Sequence, residues 1–191
     1  MEHQDDKTKK LLVSIKNSIL EFLKFAIIAA VIVLPIRMFV AQPFIVSGMS
    51  MFPTFDDGEY LIIDELSYHF RKPIRNDVVV FHYPKNEKQY FIKRIIGLPN
   101  ETVLIKDGVV TIKNQEFPEG FVLEENYLNE KFSTNGIYTN GANDYFVMGD
   151  NRNHSSDSRI WGKVSKDLIV GRAYVRLLPI AHAAFLPGKV K

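Results

Sequence analysis

The pattern of apolar and polar positions divides the chain in two. From Phe25 to Ile36 there is no charge and nearly every residue is apolar. Taken from Phe22 to Val40, this run is long enough to cross about 30 Å of hydrocarbon as a helix. Lys24 and Arg37 fall near its ends, where long side chains reach the headgroups. Pro35 sits where a lost backbone hydrogen bond costs least. Leu11 to Leu23 carries apolar residues at helical spacing and extends the helix along the surface. No small-x-small cleavage pattern follows promptly, and Phe44-Ile45-Val46 continues apolar, so an uncleaved anchor is expected rather than a removable signal peptide. Lys7, Lys9, Lys10, Lys16 and Lys24 precede the core, whereas after Arg37 the next basic residue is Arg71. The positive-inside rule therefore predicts a cytoplasmic segment at 1–21, a single transmembrane helix at 22–40 and a domain at 41–191 on the outer face of the cell membrane.

Beyond the anchor the period changes to that of short strands. Glu59–Ile63, Asp77–Phe81, Phe91–Ile96, Tyr145–Met148 and Leu168–Leu177 are β-branched or aromatic runs bounded by turn residues. Thr102–Lys106 and Val109–Lys113 flank Asp107-Gly108, which supplies the positive backbone angles of a two-residue hairpin. Helical patterns are scarce; Glu124–Phe132 has room for one short turn or helix. Closely spaced strands without intervening helices predict a mostly β fold, an antiparallel sheet domain. Residues 116–143, richer in Asn, Glu and Gly, read as a small subdomain inserted between two core strands. The apolar Leu177–Pro187 is too short to span a membrane and is interrupted by Pro179 and His182.

Composition narrows the chemistry. The 191 residues suffice for an anchor and one domain of roughly 150 residues. The absence of cysteine excludes disulfides, thiolate nucleophiles and Cys-based zinc sites. A net charge of +2, with Lys and Arg spread along the chain, gives no footprint for nucleic acid. The histidines are widely separated and the acidic residues are not at ligand spacing, so no metal site is expected.

Three segments carry candidate chemistry. Ser47-Gly48-Met49-Ser50-Met51-Phe52-Pro53-Thr54 places hydroxyls just past the apolar run. In Phe91–Ile96, alternation puts Ile92 and Arg94 on one face and Lys93 and Ile95 on the other, so one of the two basic residues points at apolar surroundings. An ordinary lysine is neutral in about one molecule in 2,500 at pH 7, and desolvation raises that fraction by lowering the pKa by roughly 3 to 5 units. Gly149–Arg159 is a polar loop with more donors and acceptors than a turn needs. A Ser-His-Asp triad from Ser50 with His69, His82 or His154 is disfavoured, because Phe52 stands where a nucleophile elbow has its second glycine.

Together the three segments resemble type I signal peptidases, or leader peptidases, over Phe44 to Arg176. Ser-Met-x-Pro-Thr after an anchor is similar to their nucleophile segment. Phe91-Ile92-Lys93-Arg94-Ile95-Ile96-Gly97-Leu98-Pro99 is similar to their lysine segment, with Asn100 where Gly is usual. Gly149–Arg159 is similar to their Gly-Asp-Asn-Arg-Asp-Asn-Ser-x-Asp-Ser-Arg, with Asn153 for Asp and His154 for Asn. Trp161-Gly162 and Gly171-Arg172-Ala173 continue the pattern. The resemblance implies a cofactor-free serine endopeptidase with Ser50 as nucleophile and Lys93 as general base. It implies that Ser155 hydrogen-bonds Lys93, that Asp157 pairs with Arg159, and that Asp150 pairs with Arg94. It implies removal of signal peptides from preproteins after small residues at the first and third positions before the cut, at the surface of a lipid bilayer. Some relatives add a serine hydroxyl to the oxyanion hole two residues before the nucleophile. Here that residue is Gly48, leaving its N–H, the Ser47 hydroxyl, or the Ser50 N–H alone. Two other readings differ in class. Self-cleaving repressors share Ser-Lys chemistry but carry a DNA-binding module and no anchor. A catalytically silent membrane-tethered β domain binding a protein partner would explain the anchor but not the lysine segment. Oligomeric state is not legible in the sequence.

Overall fold

Val78-Val79-Val80-Phe81 is apolar at every position, the mark of a strand covered on both faces. In the computed structural model, which describes residues 15–31, 33 and 41–190, these residues lie in a central strand of the larger of two sheets. The strands are β1 (Ala41–Ile45), β2 (Tyr60–Asp64), β3 (Val78–Tyr83), β4 (Asn86–Gly97), β5 (Thr102–Lys106), β6 (Val109–Lys113), β7 (Phe121–Val122), β8 (Gly136–Thr139), β9 (Asp144–Met148), β10 (Val164–Ser165), β11 (Ile169–Leu178) and β12 (Ala184–Phe185). The main sheet runs β1-β2-β11-β3-β4-β9-β10, with β12 on β11; the second runs β7-β6-β5-β8, and all pairs are antiparallel. The mostly β, antiparallel fold expected from the sequence is the one observed.

Val78 and Val80 of β3 pack with Met51, Phe55, Leu61 and Ile63 on one face. Val79 and Phe81 pack on the other with Ile95, Tyr145, Val147 and Trp161. A third cluster, built on Ile96, Val103, Ile112, Phe146 and Met148, joins the second sheet to the main one. At the Asp107-Gly108 turn both residues have positive φ, 49° and 80°, as the hairpin requires.

Four features depart from the sequence reading. The sheet inserted between β4 and β9 begins at Thr102, so it takes in the hairpin as well as residues 116–143, because β5 pairs with β8 and not with the main sheet. Strand β4 starts at Asn86, five residues before the apolar run, since its polar half is exposed and pairs only with β3. Strand β1 lies where only an apolar extension of the anchor was read; Pro43 is tolerated because β1 is an edge strand. Two single-turn helices, α1 (Ser67–Phe70) and α2 (Ser158–Trp161), were not foreseen, whereas Glu124–Phe132, read as one short turn or helix, forms the turn.

The chain divides into two units, at residues 1–40 and from Ala41 onward. In the first, residues 15–31 are helical and Phe22, Phe25, Ile27, Ile28 and Val31 are exposed. Among the described residues no helix is long and apolar enough to cross a membrane. The span expected at 22–40 lies partly outside the described residues, as does most of the 1–21 segment.

Candidate active site

Ser50 sits in a turn held from below and from the side. Met51 and Phe55, completely buried among Val46, Leu61, Ile63 and Val80, pin the turn to the sheet. Phe55 N–H donates to Met51 O at 3.0 Å and Phe52 N–H to Met49 O at 3.2 Å. Asn151 clamps the other side: its N–H donates to Ser50 O and its Nδ2 to Met49 O, both at 3.0 Å. Nothing in the sequence singled out Asn151 from the polar run around it.

Lys93 enters from β4, opposite Val79 of β3. Its side chain is 4 % exposed, and its Nζ donates to Ser50 Oγ and to Ile92 O, each at 2.8 Å. Burial lowers its pKa from the ordinary 10.5 to about 8, against the opposing fields of Asp157 and Asp150. At that value about a tenth of the molecules carry a neutral amine at pH 7. The sequence placed one of the Lys93–Arg94 pair against apolar surroundings; both are buried, on opposite sides of the strand and for different purposes.

Arg94 turns away from Ser50 into an ion pair that is almost fully enclosed. Its Nε donates to Asp150 Oδ1 at 2.8 Å and its Nη2 to Oδ2 at 2.5 Å, with both side chains at most 1 % exposed. Thr54 Oγ1 donates to the same carboxylate, tying the Ser50 turn to this pair. The Arg94 guanidinium lies 4.0 Å from the Tyr127 ring centroid, and Nη1 donates to the Asn76 and Gly188 carbonyls. Beside it Arg152 pairs with Glu125, whose carboxylate also accepts from the Tyr127 hydroxyl at 2.9 Å.

Asp157 is fully buried and caps α2 by accepting from Arg159 N–H. Its carboxylate takes two further bonds from the Arg159 guanidinium at 2.8 Å and one from Gly149 N–H at 3.1 Å. Asp157 with Arg159 and Asp150 with Arg94 are thus the pairs the sequence suggested.

The expected bond from Ser155 is corrected, and one of the three alternatives for the oxyanion donor is removed. Ser155 makes no hydrogen bond to Lys93: its Oγ is buried without a partner, packed against Gly149 beside the Ser50 carbonyl. Gly48 does not offer its N–H to the site, because its φ of +88° aims that group at Asp57 Oδ1, 2.7 Å away. The Ser50 N–H has no acceptor among the described residues, and the exposed Ser47 lines a cleft together with Ser50 and Lys93. The histidines considered for a triad bond elsewhere: His69 with Glu65 O, His82 with Glu87 O and His154 with Asn151.

Ser50 and Lys93 line a cleft of about 510 Å³. One wall is Phe44–Ser47, at the free edge of the main sheet; the other is Gln89–Ile92, the part of β4 that β9 leaves unpaired. The rings of Phe44 and Tyr90 meet edge to face, 5.2 Å apart. Two unpaired edges facing a common groove offer main-chain hydrogen bonds to an extended peptide. Gly149 is required by close approach: a Cβ there would collide with Ser155 Oγ and Ser50 O. Gly149→Ala is expected to displace the Ser50 turn and to lower kcat about 100-fold with a native circular dichroism spectrum, since a misplacement near 1 Å has that effect.

A serine hydroxyl beside a buried amine of lowered basicity, at the end of a peptide-sized groove, is the arrangement of hydrolases that use lysine where others use histidine. Residues 19–178 match the family described as signal peptidase, peptidase S26. The chain is 40 % identical over 172 residues to the signal peptidase I of Leptolyngbya laminosa, covering 86 % of this chain and 82 % of that protein. It is 33 % identical over 184 residues to signal peptidase I T of Bacillus subtilis, covering 93 % and 95 %. A crystal structure of a signal peptidase I from Enterococcus faecalis, 33 % identical, superposes with a TM-score of 0.46 over 53 % of this chain and 97 % of that one. The chain belongs to the signal peptidase family, peptidase S26.

Proposed function

We propose that this protein is a membrane-anchored serine endopeptidase that removes signal peptides from preproteins, with Ser50 as nucleophile and Lys93 as general base. The observation that carries the reading is the 2.8 Å contact between Ser50 Oγ and a lysine almost wholly removed from water. The preprotein lies extended in the groove between β1 and β4, where shallow apolar walls accept small side chains at the first and third positions before the cut. The Ser50 proton passes to neutral Lys93 as Oγ bonds to the scissile carbonyl carbon. The Ser50 N–H donates to the oxyanion. Lys93 then protonates the leaving amine as the carbon–nitrogen bond breaks, leaving an acyl-enzyme. Water gives a proton to Lys93 as it attacks that ester, and as the carbon–Oγ bond breaks Lys93 returns the proton to Ser50.

Residues 22–40 anchor the protein with its N-terminus in the cytoplasm and the β domain outside, as the lysines before the apolar core and their scarcity after it support. Exposed Ile45 on β1, and Leu177, Leu178, Ile180 and Phe185 around the β11–β12 corner, support contact of the domain with the bilayer. A tethered β domain that only binds a partner leaves the buried Lys93 without a purpose.

The test is cleavage of a secretory precursor bearing an Ala-x-Ala site by the purified full chain in detergent, with the cut mapped by mass. Failure to cut while folded removes the reading. Because the amine must be neutral and Lys93 is protonated below about pH 8, kcat/KM is expected to rise about tenfold per unit from pH 6 and to level above about pH 8. A profile flat from pH 6 to 9 would mean that another group is the base.

A further inference from the structure

A second concavity, of about 360 Å³, lies beside Ser50 and shares no lining residue with the cleft between β1 and β4. Met49, just before Ser50 in the chain, and Phe52, two residues after it, are both exposed and give it an apolar floor. Asn129, Glu130, Asn151 and His154 give it a polar rim. The rim is built from both sides. Asn151 is the residue that clamps the Met49 and Ser50 carbonyls, and its Oδ1 lies 3.1 Å from His154 Nδ1. Asn153 Nδ2 donates to Glu130 Oε2 and to Lys131 O, both at 3.3 Å, joining the inserted segment to the polar loop. Asn153 and His154 are the two positions where the loop departs from the pattern it otherwise follows.

A peptide whose acyl half fills the cleft brings its scissile carbonyl to Ser50 Oγ, and the leaving half must run on past Ser50. The surface it meets there is the one floored by Met49 and Phe52. The charges around it are mostly matched. Asp150 is paired with Arg94 and Arg152 with Glu125, whereas Glu130 has no ion-pair partner among the described residues. An apolar floor ending at an uncompensated carboxylate suits a side chain with an alkyl stem and a cationic head. From this geometry we infer that the concavity is the subsite for the first residues after the cut, and that Glu130 makes it favour Lys or Arg there. This rests on the Ser50–Lys93 reading of the site.

The experiment uses peptides that share one Ala-x-Ala acyl half and carry Ala, Lys or Glu in turn at each of the first three positions after the cut. They are assayed at low salt with the full chain and with Glu130→Gln. At one of these positions the Lys peptide is expected to exceed the Glu peptide in kcat/KM about fivefold, the scale of an exposed charge pair. Glu130→Gln brings that ratio close to one, and 0.5 M salt does the same to the wild type. A loss of folding would lower all peptides alike and leave the ratio unchanged. If the wild type cuts the Ala peptide but treats Lys and Glu equally at all three positions, the subsite assignment is overturned while the peptidase stands. If Glu130→Gln keeps the preference, Glu130 is not the group that reads the charge. If no peptide is cut, the function proposed above fails first.

Discussion

Ser50→Ala and Lys93→Ala are each expected to lower kcat by about 10⁶-fold, with the double variant no slower than either single one. This is the pattern of a nucleophile and base that act as one unit. The pairing across 2.8 Å is what makes the losses non-additive: without Lys93 the Ser50 hydroxyl keeps its proton, and without Ser50 the amine has nothing to activate. The measurement is single-turnover cleavage of an Ala-x-Ala precursor by the three variants. Losses that multiply in the double variant would show that Ser50 and Lys93 act independently. Folding separates cleanly from chemistry here. The native state lowers the Lys93 pKa, so between about pH 8 and 10.5 the unfolded chain binds the extra proton. Stability therefore rises with pH through that window, and below it the buried amine costs about 3 kcal/mol, at 1.36 kcal/mol per unit. Lys93→Met removes that cost, and is expected to melt higher than the wild type at pH 7 while being inactive. A Lys93→Met variant that melts lower would mean that the amine's bonds to Ser50 and Ile92 outweigh its desolvation.

How much of this was legible follows from where the information sits. The β class was legible because Val78–Phe81 and the Asp107-Gly108 hairpin carry their period and their turn chemistry locally. Strand β1 was not, since Phe44-Ile45 continues the apolar run of the anchor and only its pairing with β2 reveals a sheet edge. Ser50 and Lys93 were legible as residue types in the company of the right motifs, and the Asp150–Arg94 and Asp157–Arg159 pairs with them. What the sequence could not carry was direction. Whether Gly48 N–H faces the site depends on a φ of +88° and on Asp57, nine residues away. The Asn151 clamp depends on a loop from β9 meeting a turn from β1. The unpaired edge of β4 depends on how far β9 reaches along it.

Asp150→Ala is expected to destabilise the β domain by 3–5 kcal/mol, roughly the cost of leaving one buried charge without its partner. That is a large share of the 5–15 kcal/mol or so that holds a domain of this kind together. The reason lies in what surrounds Arg94. The carbonyls of Asn76 and Gly188 and the face of Tyr127 solvate the guanidinium in part, but among the described residues only Asp150 supplies a countercharge in hydrogen-bonding contact with it. Urea unfolding measures the loss. Replacing both partners, Arg94→Met with Asp150→Leu, is expected to restore much of it, because no charge is then left buried. The activities need not follow. Asp150 immediately precedes Asn151, whose two bonds hold the carbonyls of Met49 and Ser50, and its carboxylate holds Thr54 at the far end of the same turn. A double variant that regains stability but not kcat would show that the ion pair positions Ser50 as well as supporting the fold. One that regains both would confine its role to stability.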